Sequence, residues 1–233
     1  GLAIGDLNND RRADMFMPEW NGLNLMLSGG LGQWFNWSNA LGIVNDIDRD
    51  QKVGWGTAFA DLDNDGDLDV PVVYGHLESR YNSPEIQPDA VYMQDERGEF
   101  SDVAREWGLD DGGVGRGLLA LDMDGDGWLD VLKRELNGGA VLHWGRCGSG
   151  SWLRVSLEQS GANPDAVGAM VRVESVVGDH EAIVRAGGTS YASAGPPELH
   201  FGMGHAARVE RMTVTWPDGA SSVLTNLDEI GRA

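Results

Sequence analysis

The stretch Asp61-Leu62-Asp63-Asn64-Asp65-Gly66-Asp67-Leu68-Asp69 places five carboxylates within nine residues. In a compact fold these negative charges would repel one another strongly unless a cation lay among them. A hard cation such as Ca²⁺ takes roughly six to eight oxygen ligands at about 2.3–2.6 Å, and a tight loop with an acid at every second position supplies them. The stretch therefore predicts a calcium-binding loop.

The same spacing occurs three times, with ligand-type residues at loop positions 1, 3, 5 and 9 and, in two of the copies, a glycine at position 6. In the first loop Asn8 stands in place of an acid and Arg11 in place of the glycine. One charge fewer, and no glycine for a left-handed turn, predict the lowest calcium affinity there. We expect up to three structural Ca²⁺ ions. The predicted side-chain ligands are Asp6, Asn8, Asp10 and Asp14; Asp61, Asp63, Asp65 and Asp69; and Asp122, Asp124, Asp126 and Asp130.

An EF-hand does not explain these loops, because it needs a bidentate Glu at position 12 and a helix on either side. Position 12 is Met17, Val72 and Lys133 in the three copies. The flanking runs, such as 54–60 and 70–74, are short, rich in β-branched and aromatic residues, and punctuated by Gly and Pro, which is typical of strands. Each loop is therefore predicted to join two antiparallel strands, with its last acid entering the second strand.

The loops begin at residues 6, 61 and 122, and a repeat of this length indicates a supersecondary unit such as a propeller blade. After each loop comes an apolar strand, followed in the first two units by a third strand, a turn and a fourth strand. Four strands per unit predict β-propeller blades. Three blades do not close a ring, which takes about four to eight. We therefore expect a fragment of a longer chain, or a ring completed by blades from elsewhere.

Residues 1 to about 147 resemble the FG-GAP/VCBS repeats, which are found in integrin α-type propellers and in many secreted bacterial proteins. The resemblance rests on the three loops and on the strands that follow them. It implies a Ca²⁺ ion in the first hairpin of each blade. It also implies one further ligand per site, a main-chain carbonyl near position 7, contributed by Arg12, Asp67 and Trp128.

From Ser151 the repeat period is lost, and the chain alternates apolar and polar residues in a way that predicts further strands. Pro217-Asp218-Gly219 is a strong turn signal before the last of them. We predict a domain of propeller repeats at 1–149 and a second domain at 150–233. The predicted strands of the second domain are 152–157, 167–173, 181–185, 199–204, 209–216 and 222–224.

The second domain is similar to the ASPIC and UnbV C-terminal domain, which commonly follows FG-GAP/VCBS repeats. The similarity rests on 163–169, 185–191, 200–204 and 214–219, in that order, and covers nearly all of 151–233. This family includes secreted proteins and implies no agreed chemistry. The expected fold class is all-β, with propeller blades in an incomplete ring followed by a small β-sandwich or barrel.

The 233-residue chain has a formal net charge of -20 and 41% hydrophobic residues. A sizeable core is feasible, and so acidic a chain is a poor partner for nucleic acid or for an anionic membrane. No run approaches the roughly 18 apolar residues of a membrane span, and no signal peptide is recognisable. Cys147 is the single cysteine, so no intrachain disulfide is possible. Because the chain starts within an expected strand, we expect it to be processed or truncated.

Patterns that would indicate catalysis are weak. The five histidines lack metal-ligand spacing, no Gly-x-Ser-x-Gly elbow occurs, and the paired acids are already explained by calcium. The insertion at 76–88, with His76, Arg80 and Tyr81, is the remaining candidate for an active site. The tryptophans of the repeats are predicted to pack in blade cores rather than to form a sugar platform: Trp20, Trp34, Trp37, Trp55, Trp107, Trp128 and Trp144.

The sequence thus favours a calcium-stabilised extracytoplasmic module (secreted, periplasmic or at the cell surface) that serves adhesion or assembly without catalysis. Its expected partner is a protein or glycan at the cell surface, or other subunits of an assembly. Two alternatives stay open. One is a polysaccharide lyase or hydrolase on a propeller scaffold, and the other is an accessory subunit of a larger complex.

Overall fold

The computed structural model describes residues 1–20, 22–44, 52–77, 87–136, 138–145, 148–188, 190–228 and 230–232. Within these ranges the chain is built almost wholly of strands, which confirms the all-β prediction. The first eleven strands are β1 (Ala3–Gly5), β2 (Asp14–Glu19), β3 (Gly22–Gly30), β4 (Gln33–Asn36), β5 (Gly54–Thr57), β6 (Val70–Tyr74), β7 (Ala90–Gln94), β8 (Phe100–Asp102), β9 (Gly115–Leu121), β10 (Asp130–Glu135) and β11 (Ala140–His143). The others are β12 (Ser151–Ser156), β13 (Met170–Ser175), β14 (Gly178–Ile183), β15 (Glu198–Gly204), β16 (Val209–Thr215), β17 (Ser221–Leu227) and β18 (Gly231–Arg232).

The first eleven strands form three antiparallel sheets that follow chain order, which we call sheets I, II and III. Sheet I is β1-β2-β3-β4, sheet II is β5-β6-β7-β8, and sheet III contains β9, β10 and β11 in the described residues. Each of the three acidic loops joins the first and second strands of its sheet, as the flanking sequences predict.

Sheets I, II and III stack face to face in sequence. Phe16 and Leu25 of sheet I share an apolar core with Val72 and Tyr74 of sheet II. The opposite face of sheet II gives Val91 to a second core that includes residues from sheet III. Burial on both faces explains why β6 is a continuous apolar run rather than an alternating one. This is how successive blades of a β-propeller pack.

Strands β12 to β18 form two sheets, with orders β15-β12-β18 and β14-β13-β16-β17. Their facing residues share one core, in which Leu153 and Phe201 of the first sheet meet Val171 and Val214 of the second. The two sheets are therefore a small β-sandwich, which we call the C-terminal sandwich. Among the described strands, no sheet mixes residues from before and after residue 150.

A short helical turn follows the last strand of sheet I and of sheet II, in segments where the sequence has an apolar-Gly-apolar pattern. Residues Asn39–Leu41 form a 3₁₀ turn and Ala104–Trp107 a one-turn α-helix, here called α1. Gly42 and Gly108 end these turns with φ values of 89° and 71°, a left-handed conformation that glycine adopts without steric cost. No helix in the described part of the chain is long and apolar enough to cross a membrane.

The tryptophans of the repeats are less buried than expected. Trp128 lies in the interior, and Trp55 and Trp107 are partly buried. Core packing is the wrong interpretation for the rest, because their side chains are exposed at the ends and outer strands of the sheets. The exposed tryptophans are Trp20, Trp34, Trp37 and Trp144.

Candidate metal centres

The three acidic loops share two internal hydrogen bonds. The amide at position 6 donates to Oδ2 of the acid at position 1, at 2.8 Å from Arg11, 2.9 Å from Gly66 and 3.1 Å from Gly127. The amide at position 7, from Arg12, Asp67 or Trp128, donates to Oδ1 of the acid at position 5. These bonds hold the carboxylates at positions 1 and 5 against the backbone of the turn. Whether the position-7 carbonyls bind an ion stays a prediction.

Two positions of each loop have left-handed backbone conformations. Position 6 has φ values of 65° at Arg11, 107° at Gly66 and 89° at Gly127, so the arginine of the first loop adopts the conformation that glycine favours. Position 4 is also left-handed, at Asn9, Asn64 and Gly125. Asn and Gly tolerate this conformation best, so their presence at position 4 is a signal that the acidic spacing alone does not reveal.

The structure brings together the predicted ligands at positions 1, 3 and 5 of the second and third loops. Carboxylate oxygens of Asp61, Asp63 and Asp65 lie within 4.8 Å of one another, and so do those of Asp122, Asp124 and Asp126. A trio of carboxylate oxygens at this separation could hold a metal ion, and an all-oxygen donor set suits a hard cation.

Asp61 gives an independent indication of a cation. Its side chain is 3% exposed, and its Oδ1 atom has no hydrogen-bond partner in the described residues. Burial and the neighbouring carboxylates raise the pKa of Asp61 well above its usual range, and burial together with Asp65 raises the pKa of Asp63 to about 6. A buried carboxylate oxygen without a donor is costly unless a cation binds it. The residues present therefore fit a calcium ion.

The acids at position 9 have a second role that the sequence did not reveal. Asp14, Asp69 and Asp130 are fully buried, and each accepts two backbone N–H groups. Oδ2 accepts the amide of loop position 2, and Oδ1 accepts an amide in or next to the third strand of the same sheet. Each position-9 acid thus ties its loop to the sheet. Whether these acids also bind calcium stays a prediction.

The acids at positions 9 and 3 differ in their contacts, which predicts different effects of substituting them in the absence of calcium. With chelator present, Asp69→Asn should destabilise the chain by about 1–3 kcal/mol, because the Asn NH₂ would face one of two buried amide donors. Asp63→Asn should be neutral or stabilising, because it removes repulsion from Asp65 while keeping an acceptor for the Asp65 amide. Chemical denaturation of both variants in EDTA is the measurement; equal losses would contradict the distinction.

The first loop differs from the others in its charges. The Arg12 guanidinium lies 3.3 Å from Asp10 Oδ2, and Asn8 Nδ2 lies 3.4 Å from the same oxygen. In the first loop the acid at position 5 therefore already faces a side-chain cation and an amide. In the other two loops the acid at this position lies beside carboxylates. This arrangement agrees with the prediction that the first site is the weakest.

The C-terminal sandwich lies across the three loops. Arg11 in the first loop forms an exposed ion pair with Asp179, and Asp122 in the third lies 3.8 Å from Arg154. In the second loop Oδ1 of Asn64 lies 2.7 Å from Nε2 of His200. A cavity of about 360 Å³ remains between the sandwich and the loop ends of β1, β5 and β9.

A second set of docking contacts reaches the first strand of each sheet. Arg185 donates to the carbonyl of Ile4 in β1. The hydroxyl of Ser190 accepts the amide of Thr57 in β5, and the hydroxyl of Ser193 accepts the amide of Leu118 in β9. Arg185, Ser190 and Ser193 therefore bind polar backbone groups of all three sheets. The sequence pattern of residues 185–193 contains no signal for such docking.

Of the candidate residues for catalysis, His76 is the one that lies in the described part of the chain. His76 is 2% exposed, its ring contacts Trp20 at 5.7 Å between centroids, and its carbonyl accepts from Arg116. Arg80 and Tyr81 lie outside the described residues, as does Cys147. In the described part of the chain the insertion therefore offers no accessible histidine.

Comparison with known proteins supports the second resemblance directly. Residues 159–229 match the UnbV_ASPIC family, "ASPIC and UnbV". The chain is 28% identical over 234 residues to cartilage acidic protein 1 of Mus musculus, 26% identical over 236 residues to that of Homo sapiens, and 28% identical over 239 residues to that of Xenopus tropicalis. Each alignment covers 94% of this chain, and the chain spans about a third of the length of these relatives. The FG-GAP/VCBS resemblance of the first part stays a prediction.

Proposed function

We propose that the chain is an extracytoplasmic binding or assembly module that is stabilised by Ca²⁺ and performs no catalysis. Two domains, 1–149 and 150–233, make up the module. The buried, unpartnered Oδ1 of Asp61, beside the carboxylates of Asp63 and Asp65, is the observation that carries the proposal. A bound Ca²⁺ supplies positive charge there. In each loop the side-chain oxygens at positions 1, 3 and 5 are the proposed ligands. The acids at position 9 and the main-chain carbonyls at position 7 are further candidates.

An extracytoplasmic location fits the low calcium affinity that is predicted for the first loop. Binding to the folded chain stabilises it by RT ln(1 + [Ca²⁺]/Kd), so millimolar calcium outside the cell would fill even sites of modest affinity. The relatives are named cartilage acidic protein, a name that refers to cartilage and to acidity. This chain is acidic as well, with a net charge of -20. We therefore propose a protein or glycan at the cell surface, or other subunits of an assembly, as its partner.

The sites can be ranked by substitution. In millimolar calcium, Asp63→Ala should lower the melting temperature by about 5–10 °C, because a site filled at 100 times its Kd contributes about 2.7 kcal/mol and a chain of this size shifts by about 2–4 °C per kcal/mol. Asn8→Ala should lower it by less than about 2 °C. Calorimetric titration should show one ion fewer for Asp63→Ala. The reverse order of the two variants would contradict the ranking of the loops.

The alternative of a polysaccharide-acting enzyme has no supporting observation in the described residues. Its candidate histidine, His76, is buried beside Trp20 and Arg116 rather than open to a substrate. A panel of acidic and neutral polysaccharides incubated with the calcium-loaded chain is the direct test. Turnover that is lost in His76→Ala would contradict a non-catalytic function. Calcium-dependent retention on an immobilised glycan or protein, without turnover, would support it.

A further inference from the structure

Asn64 occupies the centre of the second loop and also the centre of the contact with the C-terminal sandwich. It is fully buried, has a φ of 58°, and lies between the candidate ligands Asp63 and Asp65. Its Nδ2 atom donates to the carbonyl of Gly127 in the third loop, at 2.9 Å. The amide of Gly204, at the end of β15, donates to the carbonyl of Asn64 at 2.8 Å.

The hydrogen bond from Asn64 to Gly127 shows which residue donates in the hydrogen bond between Asn64 and His200. Because Nδ2 donates to Gly127, the Oδ1 atom of Asn64 is an acceptor, and His200 must donate through Nε2 over the 2.7 Å separation. One asparagine therefore connects the second loop, the third loop and the sandwich, and every bond it makes depends on the position of the loop backbone.

The sandwich approaches this loop so closely that two glycines are needed. A Cβ atom added to Gly202 would lie 1.8 Å from Oδ2 of Asp61, and one added to Gly150 would lie 2.7 Å from the carbonyl oxygen of Asn64. Neither separation is possible without movement of the backbone or of the candidate ligand. The strand β15 is thus packed directly against the first acid of the site.

The corresponding residues of the other loops lack such contacts. At position 4, Asn9 and Gly125 are exposed, whereas Asn64 is buried. The first loop meets the sandwich through the exposed Arg11–Asp179 pair, and exposed pairs contribute little to stability. The third loop does so through Gly127, which packs on the indole of Trp152, and through Asp122, which lies 3.8 Å from Arg154. Among the described residues, the second loop is the one whose position-4 residue is buried and bonded to the sandwich.

We propose that calcium binding at the second loop and docking of the C-terminal sandwich are thermodynamically coupled through the Asn64–His200 contact. The proposal rests on the proposed calcium site. Without a cation, repulsion among Asp61, Asp63 and Asp65 favours opening of the loop, which displaces Asn64 from His200 and Gly204. Coupling is reciprocal, so a change in the sandwich that removes the contact must also weaken calcium binding more than 100 residues away in sequence.

Hydrogen exchange of the full chain during a calcium titration tests the coupling. Peptides that cover 61–69 and 198–204 should gain protection with the same calcium midpoint. The β16–β17 hairpin, 209–227, should show no calcium dependence. Asp63→Ala should abolish the calcium-dependent protection of 198–204, whereas Asp10→Ala in the first loop should leave it unchanged.

The reciprocal test changes the sandwich and measures the loop. His200→Ala should raise the calcium midpoint of the 61–69 peptide about tenfold, within the usual range of coupling between sites. His200→Gln, which keeps a donor at a similar reach, should stay near the wild-type midpoint, and His205→Ala is the matched control because its side chain is exposed.

The outcomes separate this proposal from the proposed function. An unchanged loop midpoint in His200→Ala, or a 198–204 peptide that keeps its protection in EDTA while the loop loses it, would overturn the coupling and leave the calcium site intact. Absence of calcium-dependent protection in all three loops would overturn the calcium site itself. If His200→Ala does not fold, the Asp63→Ala and His200→Gln measurements decide the matter alone.

Discussion

Chelation of calcium is expected to lower the melting temperature of the chain by about 10–20 °C relative to the same chain in millimolar calcium. Two well-formed sites at about 100 times their Kd would contribute about 2.7 kcal/mol each, and a chain of this size shifts by about 2–4 °C per kcal/mol. The physical cause is the buried Asp61 carboxylate, whose Oδ1 has no donor, together with the like charges beside it.

Thermal unfolding followed by circular dichroism or calorimetry, with EDTA and then with calcium restored, measures this effect. Magnesium in place of calcium is a suitable control, because Mg²⁺ requires shorter, nearly octahedral coordination and gives up its waters reluctantly. The Asp63→Ala variant should respond to EDTA less than the wild type does. A melting temperature that is the same with EDTA and with calcium would contradict the proposed function.

Substitution of Lys133 is expected to have the second large effect. The side chain is 1% exposed, and its Nζ atom lies 2.7 Å from Asp89 Oδ2 and 2.6 Å from Asp111 Oδ1. The carboxylate of Glu135 is 3.5 Å away. Lys133→Met should destabilise the chain by about 3–5 kcal/mol, because breaking a buried ion pair leaves its partners uncompensated in the interior.

Lys133 holds sheets II and III together, because β10 carries the lysine and Asp89 precedes β7. Burial raises the pKa of Asp89 to about 8 despite Lys133, whereas the hydrogen bond from Lys133 holds the pKa of Asp111 below its usual range. Adding Asp89→Asn to Lys133→Met should therefore recover part of the loss. Urea denaturation of the single and double variants measures the coupling.

Lys52→Met is the matched control for this experiment. Its ammonium lies 4.7 Å from the centre of the Tyr74 ring and donates to the carbonyl of Pro88, on the more exposed side of the same region. We expect a loss of only about 0.5–1 kcal/mol, as for cation–π contacts in which the cation stays partly exposed to solvent. Equal losses for Lys52→Met and Lys133→Met would show that the buried network has no special role.

Much of the local structure was predictable because it depends on neighbouring residues. The alternation of apolar and polar residues identified the strands from β12 to β17, with boundary differences of a few residues. The acid spacing identified the loops and the trios Asp61, Asp63, Asp65 and Asp122, Asp124, Asp126. In each case the local geometry depends on residues that lie two to nine positions apart in the chain, so a sequence pattern can reveal it.

Other parts of the site were not predictable from the spacing. Asp69 matches the ligand pattern, yet it accepts amides from Leu62 and from Gln94, which lies in another strand. Asn64 lies between two predicted ligands, and its importance comes from His200, 136 residues further along the chain. A sequence pattern contains no information on which distant donor will lie beside a given oxygen.

The sequence by itself determined that this chain is all-β, that three acidic hairpin loops recur in it, and which carboxylates gather in two of them, because strand alternation and loop closure are short-range effects. Only the tertiary structure decided which acids are buried, how each loop meets the C-terminal sandwich, and that Lys133 is enclosed by carboxylates. Burial and desolvation depend on surfaces that come together from distant parts of the chain, so they arise only when the sheets pack.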